Sequence, residues 1–191
     1  MIDLPPTAAW RFEDARLGFE VLFLHHQPAG YLFKGHSTAV EGDVVWSVRY
    51  SIRLDSSWAT RQVHVIGESR HGMTEVRLER PPACGWRVNG RSVPQLDRCV
   101  DVDLEASAFT NTFPIHRLGL AVGQSADVPA AWVRAHGLDV ELLEQSYVRL
   151  EDKIHKRQYH YFAPSFDFSA KLAYDQFGLI LDYPGLAVRV A

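Results

Sequence analysis

The chain has 191 residues, 47% of them hydrophobic, and a formal net charge of −3. That length fits one domain spanning residues 1–191, with enough apolar material for a sizeable core. The slightly acidic balance gives no bulk electrostatic basis for a nucleic-acid partner, and two cysteines, Cys84 and Cys99, are too few for a disulfide framework.

The first residues, MIDLPPTAAW, carry neither a basic leader nor a long apolar run. No stretch reaches the roughly 18 apolar residues of a membrane span. A cytoplasmic protein without a transmembrane segment is therefore expected, with both cysteines as buried thiols in a reducing compartment.

Period two then dominates. RLGFEVLFLHH and GYLFKGHSTAV read as strands joined by a turn over residues 27–30. In DVVWSVRYSIRLD, Val44, Trp46, Val48, Tyr50, Ile52 and Leu54 share one face, while Val45, Ser47, Arg49, Ser51, Arg53 and Asp55 share the other. At helical spacing those six apolar residues would spread around the cylinder, so a long half-buried strand is predicted. ATRQVHVIGE, MTEVRLER and VDVDLE alternate in the same way. DVPAAWVRAHG fits either a short helix opened by Pro129 or a strand, and a strand is preferred. LDVELLEQSYVRL, KRQYHYF, FSAKLAYD and LAVRV complete the set. No segment offers a sustained helical stripe. The fold class is all-β, with about ten or more antiparallel strands that must curl, split into layers or close.

The polar chemistry concentrates in CVDVDLEASAFTNTFPIHRL, residues 99–118. Asp101, Asp103 and Glu105 fall on one strand face, where carboxylates could serve acid–base chemistry or hold a hard cation. The simpler reading is an acidic face paired with a basic one, such as that of Arg49 and Arg53 or of Arg77. His25 and His26 face opposite ways on a strand, and none of the nine histidines has helical zinc spacing. No metal site or cofactor is expected. His116, near Thr110, Asn111, Thr112 and Arg117, is the best single catalytic candidate, though a hydrogen-bonded structural histidine is the plainer account. Nucleophile-elbow, phosphate-loop and dinucleotide glycine patterns are missing. Beyond Glu105 the segment reads as a buried, hydrogen-bonded corner, with Pro114 ending regular strand pairing. The many aromatics, Trp46, Tyr147, Tyr161, Phe166, Phe168 and Tyr183 among them, either fill a core or line a hollow.

These motifs resemble a bacterial family described as putative glycolipid-binding. The resemblance runs through Asp101-Val-Asp-Leu, Phe109-Thr-Asn-Thr and Pro114-Ile-His-Arg117-Leu. It continues in Tyr50, Asp55, Trp58, Arg61 and Val63, in Gly85-Trp86, Pro94, Leu96 and Cys99, and in Tyr147, Tyr159 and Tyr161. It closes with Asp175, Gly178, Asp182-Tyr183-Pro-Gly185-Leu and Arg189. Ser107-Ala108 stands where the family pattern has Thr-Pro, and His116 where it has a second Arg, so a doubly basic anion clamp is incomplete here. The resemblance implies a strongly curved antiparallel sheet, similar to the half-open barrels of bacterial lipoprotein carriers. It also implies a lipid or glycolipid ligand in the concavity, and no catalytic residues.

The leading expectation is thus a non-catalytic binder of an amphipathic molecule. Apolar strand faces would hold its acyl part, and Arg61, Asp101, Thr110, Asn111, Arg117 and Tyr183 would contact its head. One alternative is a hydrolase or isomerase using Asp101, Asp103 and His116. The other is an interaction module that adds strands at an exposed sheet edge. A concavity filled by its own aromatics would weaken the binding reading.

Overall fold

The structure, a computed structural model, describes residues 4–14, 16–82 and 84–191. The N-terminal half is a meander of β1 (Thr7–Phe12), β2 (Leu17–Gln27), β3 (Gly30–Glu41), β4 (Val44–Asp55), β5 (Thr60–Ser69), β6 (Gly72–Glu79) and the short β7 (Arg87–Val88) and β8 (Arg91–Ser92). After β9 (Asp101–Leu104) comes one α-helix, α1 (Thr112–Leu118). Then follow β10 (Ser125–Asp127), β11 (Ala130–Val133), β12 (Val140–Leu143) and a second meander of β13 (Ser146–Lys153), β14 (Lys156–Ala163), β15 (Phe168–Tyr174), β16 (Ile180–Tyr183) and β17 (Ala187–Arg189).

Fourteen strands form one antiparallel sheet in the order β10-β13-β14-β15-β16-β17-β1-β2-β3-β4-β5-β6-β7-β8. The two meanders join where β17 pairs with β1, Trp10 lying opposite Arg189. The sheet curves without closing, and its free edges are the very short β10 and β8. β4 buries Trp46, Val48, Tyr50, Ile52 and Leu54, as its alternation predicts. β2 is apolar on both faces: Leu22 and Leu24 point into the core, while Phe19 and Phe23 remain half-exposed on the convex side.

Three features depart from expectation. First, the segment after β9 forms a helix. A 3-10 turn over Phe109–Asn111 runs into α1. Pro114 falls in the first turn, where backbone N–H groups have no intrahelical acceptor to lose. Gly119, at φ +56°, ends the helix in the left-handed conformation. Second, β9 is buried on both faces and runs parallel to β11 in a separate three-stranded sheet, β12-β11-β9. Asp101 and Asp103 therefore face no basic strand. Third, Cys84 is exposed; only Cys99 is buried.

The small sheet and the helix lie in the concavity of the large one. Phe109 and Phe113 enter a cluster with Trp10 and Phe33, with ring centroids 4.7 Å apart for Phe33–Phe109 and 5.2 Å for Phe109–Phe113. Much of the concavity is thus occupied by the chain's own aromatics, whose burial is the main stabilising term.

Candidate functional site

Two recesses hold residues expected from the sequence to contact a ligand. One lies between the small sheet and β14–β16. It has a volume of about 280 Å³ and its wall includes Trp132, Tyr161, Phe166, Phe168 and Tyr183. Asp103, Ser107, Asn111 and Arg16 supply the polar lining. The other is a cleft of about 490 Å³ at the ends of β4 and β5, with Tyr31, Asp55, Arg61, Arg80, Pro81 and Pro82 in its wall.

The six expected ligand contacts divide between these places. Asn111 and Tyr183 line the first cavity. Asn111 Oδ1 also accepts a hydrogen bond from Tyr147 Oη at 2.7 Å, which fixes its amide in the wall. Burial pushes the Tyr183 phenol above its ordinary pKa, so it remains a neutral donor. Arg61 lies in the second cleft, where Nε and Nη2 donate to Asp55 Oδ2 at 2.8 and 2.5 Å. Asp101, Thr110 and Arg117 line neither recess. Asp101, buried to 1% exposure, accepts from Arg117 Nε at 3.1 Å and Nη2 at 2.6 Å, and this pair ties α1 to β9. Thr110 Oγ1 donates to Asp103 Oδ1 at 2.6 Å.

Several residues of the resembling motifs have structural partners. Asp55 Oδ1 accepts from Ser57 N at 2.9 Å and Ala59 N at 3.1 Å. Burial raises the Asp55 pKa, but the hydrogen bonds from Ser57 and Arg61 outweigh it and leave the carboxyl below its ordinary value. The turn it organises holds Trp58 at φ +67°, with its indole stacked on the His116 ring at 3.8 Å. Gly178 approaches the other side of that imidazole: a Cβ there would come within 2.6 Å of His116 Nε2. Asp175 binds the N–H groups of Phe177 and Leu179 at 2.9 Å and pairs with Arg189. Trp86 Nε1 donates to Cys99 O at 2.9 Å.

Asp103 and His116 titrate abnormally, and in opposite senses. Burial, aided by the Asp101 and Glu105 carboxylates and opposed by Thr110, pushes Asp103 up to about 6 from 3.8. Burial beside Arg157 pushes His116 down to about 4 from 6.5. Asp103 keeps its proton in the folded chain to higher pH than in the unfolded one. Its contribution to stability therefore falls as pH rises from about 4 to about 6, by ~3 kcal/mol. His116 stays neutral when the unfolded histidine is already charged, so its contribution falls as pH drops through the same window, also by ~3 kcal/mol. The two trends oppose each other. Asp103→Asn should therefore gain stability relative to the parent as pH rises from 4 to 7, by ~3 kcal/mol in urea titrations. Profiles that run parallel would mean Asp103 has an ordinary pKa.

Arg16 escaped sequence reasoning altogether, because one arginine in DARLGF has no local signature. Only 6% exposed, it reaches the first cavity from the loop between β1 and β2. Its Nε and Nη1 make no hydrogen bond with any described residue. Its guanidinium lies 5.0 Å from the Phe12 ring centroid and 5.6 Å from that of Trp46. Glu20 was also missed, although a carboxylate inside the apolar run LGFEVLFL is a visible anomaly. It accepts hydrogen bonds from Tyr50 Oη at 2.6 Å, from Ala108 N at 2.8 Å and from Ser107 Oγ.

Comparison with known proteins bears on the family and the fold. A family model described as putative glycolipid-binding matches residues 7–189. The chain belongs to this family. A crystal structure of a DUF1089 family protein from Pseudomonas aeruginosa superposes with a TM-score of 0.76 at 31% identity, covering 90% of this chain and 92% of that one. A beta-barrel-like DUF1849 protein from Brucella abortus has the same fold at 8% identity, with a TM-score of 0.53 over 99% and 96% of the two chains. No curated protein matches the chain. Of the residues that carry the motif resemblance, Asp55, Trp58, Trp86, Asp101, Arg117 and Asp175 brace turns and junctions, while Asn111 and Tyr183 line the cavity.

Proposed function

We propose that the chain binds an amphipathic lipid or glycolipid in the 280 Å³ cavity, by non-covalent contact alone. The cavity's two-sided lining carries this reading. Trp132, Phe166 and Phe168 offer apolar and stacking surface, and Asp103, Asn111, Ser107 and Tyr183 offer hydrogen-bonding groups to a hydroxylated head. Phe166, 52% exposed, stands at the mouth, where part of an acyl chain would extend outward. A cavity of this size suits a head group and the first part of a chain rather than a whole lipid. Asn111 and Tyr183 are the direct contacts among the residues expected from sequence; Asp101, Thr110 and Arg117 hold the wall in place. The family name supports the ligand class. An exposed free thiol at Cys84 fits a reducing compartment and supports a cytoplasmic setting.

The other readings have less support. Asp103 lines the cavity, but Asp101 is engaged by Arg117 and His116 is held between Trp58 and Gly178, so the three do not converge on one space. The edge strands of the large sheet are three and two residues long, which leaves little ladder for an added strand. Among the described residues no helix is long and apolar enough to cross a membrane.

Native mass spectrometry after gentle purification tests the proposal. The expected result is a retained or acceptable lipid-sized mass that Leu186→Trp, which fills the cavity from its lining, excludes while leaving the circular dichroism spectrum intact. Equal uptake by that variant, or no uptake by the parent protein at lipid levels that saturate known carriers, would reject the cavity as the site.

A further inference from the structure

Resting on the cavity reading above, we infer that the ligand carries an anionic group, a phosphate, sulfate or carboxylate attached to its apolar portion, and that Arg16 is its counter-ion. A guanidinium is always charged at neutral pH and is expensive to bury without a partner. In folded proteins such groups are paired, hydrogen-bonded or exposed. Arg16 departs from this pattern: it is 6% exposed, Nε and Nη1 are buried with no acceptor, and no described carboxylate lies within ion-pair distance. Its contacts are the faces of Phe12 and Trp46, which offset only part of the lost hydration.

Neither acid that shares the cavity is within ion-pair distance of Arg16. Glu105 Oε2 accepts from Ala135 N at 2.7 Å and Arg134 Nε at 3.2 Å. Asp103 is held by Thr110. Among the described residues, Arg16 is therefore the cation of the lining without a counter-ion, and its planar fork of donors suits a tetrahedral or planar oxyanion. Asp103 adds a second element of recognition: a carboxylate that accepts from a hydroxyl near the anion. In the cleft around Arg61, Asp55 neutralises that guanidinium, and Arg80, which shares the wall, is only partly buried and so keeps hydration that Arg16 lacks.

Three probes below their micellar concentrations separate the possibilities: dodecyl phosphate, dodecyl glucoside and inorganic phosphate, followed by calorimetry. The parent protein should bind dodecyl phosphate at least about tenfold more tightly than dodecyl glucoside, and inorganic phosphate more weakly than either. Arg16→Met should remove the preference for the phosphate head while keeping glucoside binding, and Arg16→Lys should retain part of it. Without ligand, Arg16→Met should raise the Tm, because an uncompensated buried charge is replaced by an apolar chain of similar length. Glucoside bound as tightly as dodecyl phosphate, or a preference that survives Arg16→Met, overturns the anion assignment and leaves the cavity reading standing. Inorganic phosphate bound as tightly as dodecyl phosphate would make this a free-anion site. Failure of both dodecyl probes overturns the cavity reading itself. A Tm lowered by Arg16→Met, with the preference unchanged, would make the residue a structural cation.

Discussion

Glu20→Ala should destabilise the fold by about 3–5 kcal/mol, measured by urea denaturation at pH 7. The Glu20 carboxylate is fully buried and collects three donors from two parts of the chain: Tyr50 Oη on β4, and Ser107 Oγ and Ala108 N in the segment before α1. Alanine leaves all three without an acceptor, at about 1–3 kcal/mol for each that water cannot reach. Tyr50 can span to β2 because Gly35 of β3 lies beneath its ring; a Cβ there would sit 2.1 Å from the Tyr50 ring. Glu20→Gln should cost less, about 1–2 kcal/mol, since its carbonyl oxygen still accepts and the two hydroxyls can turn to accept from its amide. Burial raises the Glu20 pKa against the lowering effect of its donors, and glutamine removes that opposing cost. If alanine and glutamine were equally tolerated, within about 0.5 kcal/mol of the parent, the network would not hold the concave filling to the sheet.

Arg117→Met should be of similar severity, about 3–5 kcal/mol at pH 7. It strands Asp101, which is buried to 1% exposure and whose pKa is already raised by burial and restrained by Arg117. The loss should shrink on acidification, because a protonated Asp101 needs no counter-ion. The double variant Asp101→Asn, Arg117→Met should recover most of the stability, as replacing both members of a buried pair is far milder than removing one. Ligand binding supplies a separate readout. Arg117→Met, held at a temperature where it is folded, should still take up dodecyl phosphate. A folded Arg117→Met that cannot do so would place Arg117 on the ligand.

Strand content was legible because alternation is a local property. Trp46 through Leu54 on β4 must face one way once the segment is extended, whatever the rest of the chain does. The helix at Thr112–Leu118 was not legible. Its seven residues are buried all round over Thr112–Ile115 and carry a proline, so they offer no amphipathic stripe. It forms because Phe109 and Phe113 bury against Phe33 and Trp10, more than 75 positions away. β9 misled for a related reason. Alternating acids predict a wet face, yet Arg117 and Thr110, from the segment that folds back over the strand, satisfy Asp101 and Asp103 in the interior.

The sequence by itself determined an all-β chain, its hairpins and, through its motifs, its family. Tertiary structure alone decided what those motifs are for. Asp101 and Arg117, which read as head-group contacts, lock the helix to the small sheet. Arg16, which reads as an ordinary loop residue, lines the cavity with no ion-pair partner among the described residues. Burial and partnership depend on residues brought together from distant positions, as Glu20 and Ser107 are across 87. A period-two pattern specifies which side of a strand is apolar; it carries no information about what closes over that side or about which polar group is left without a partner there.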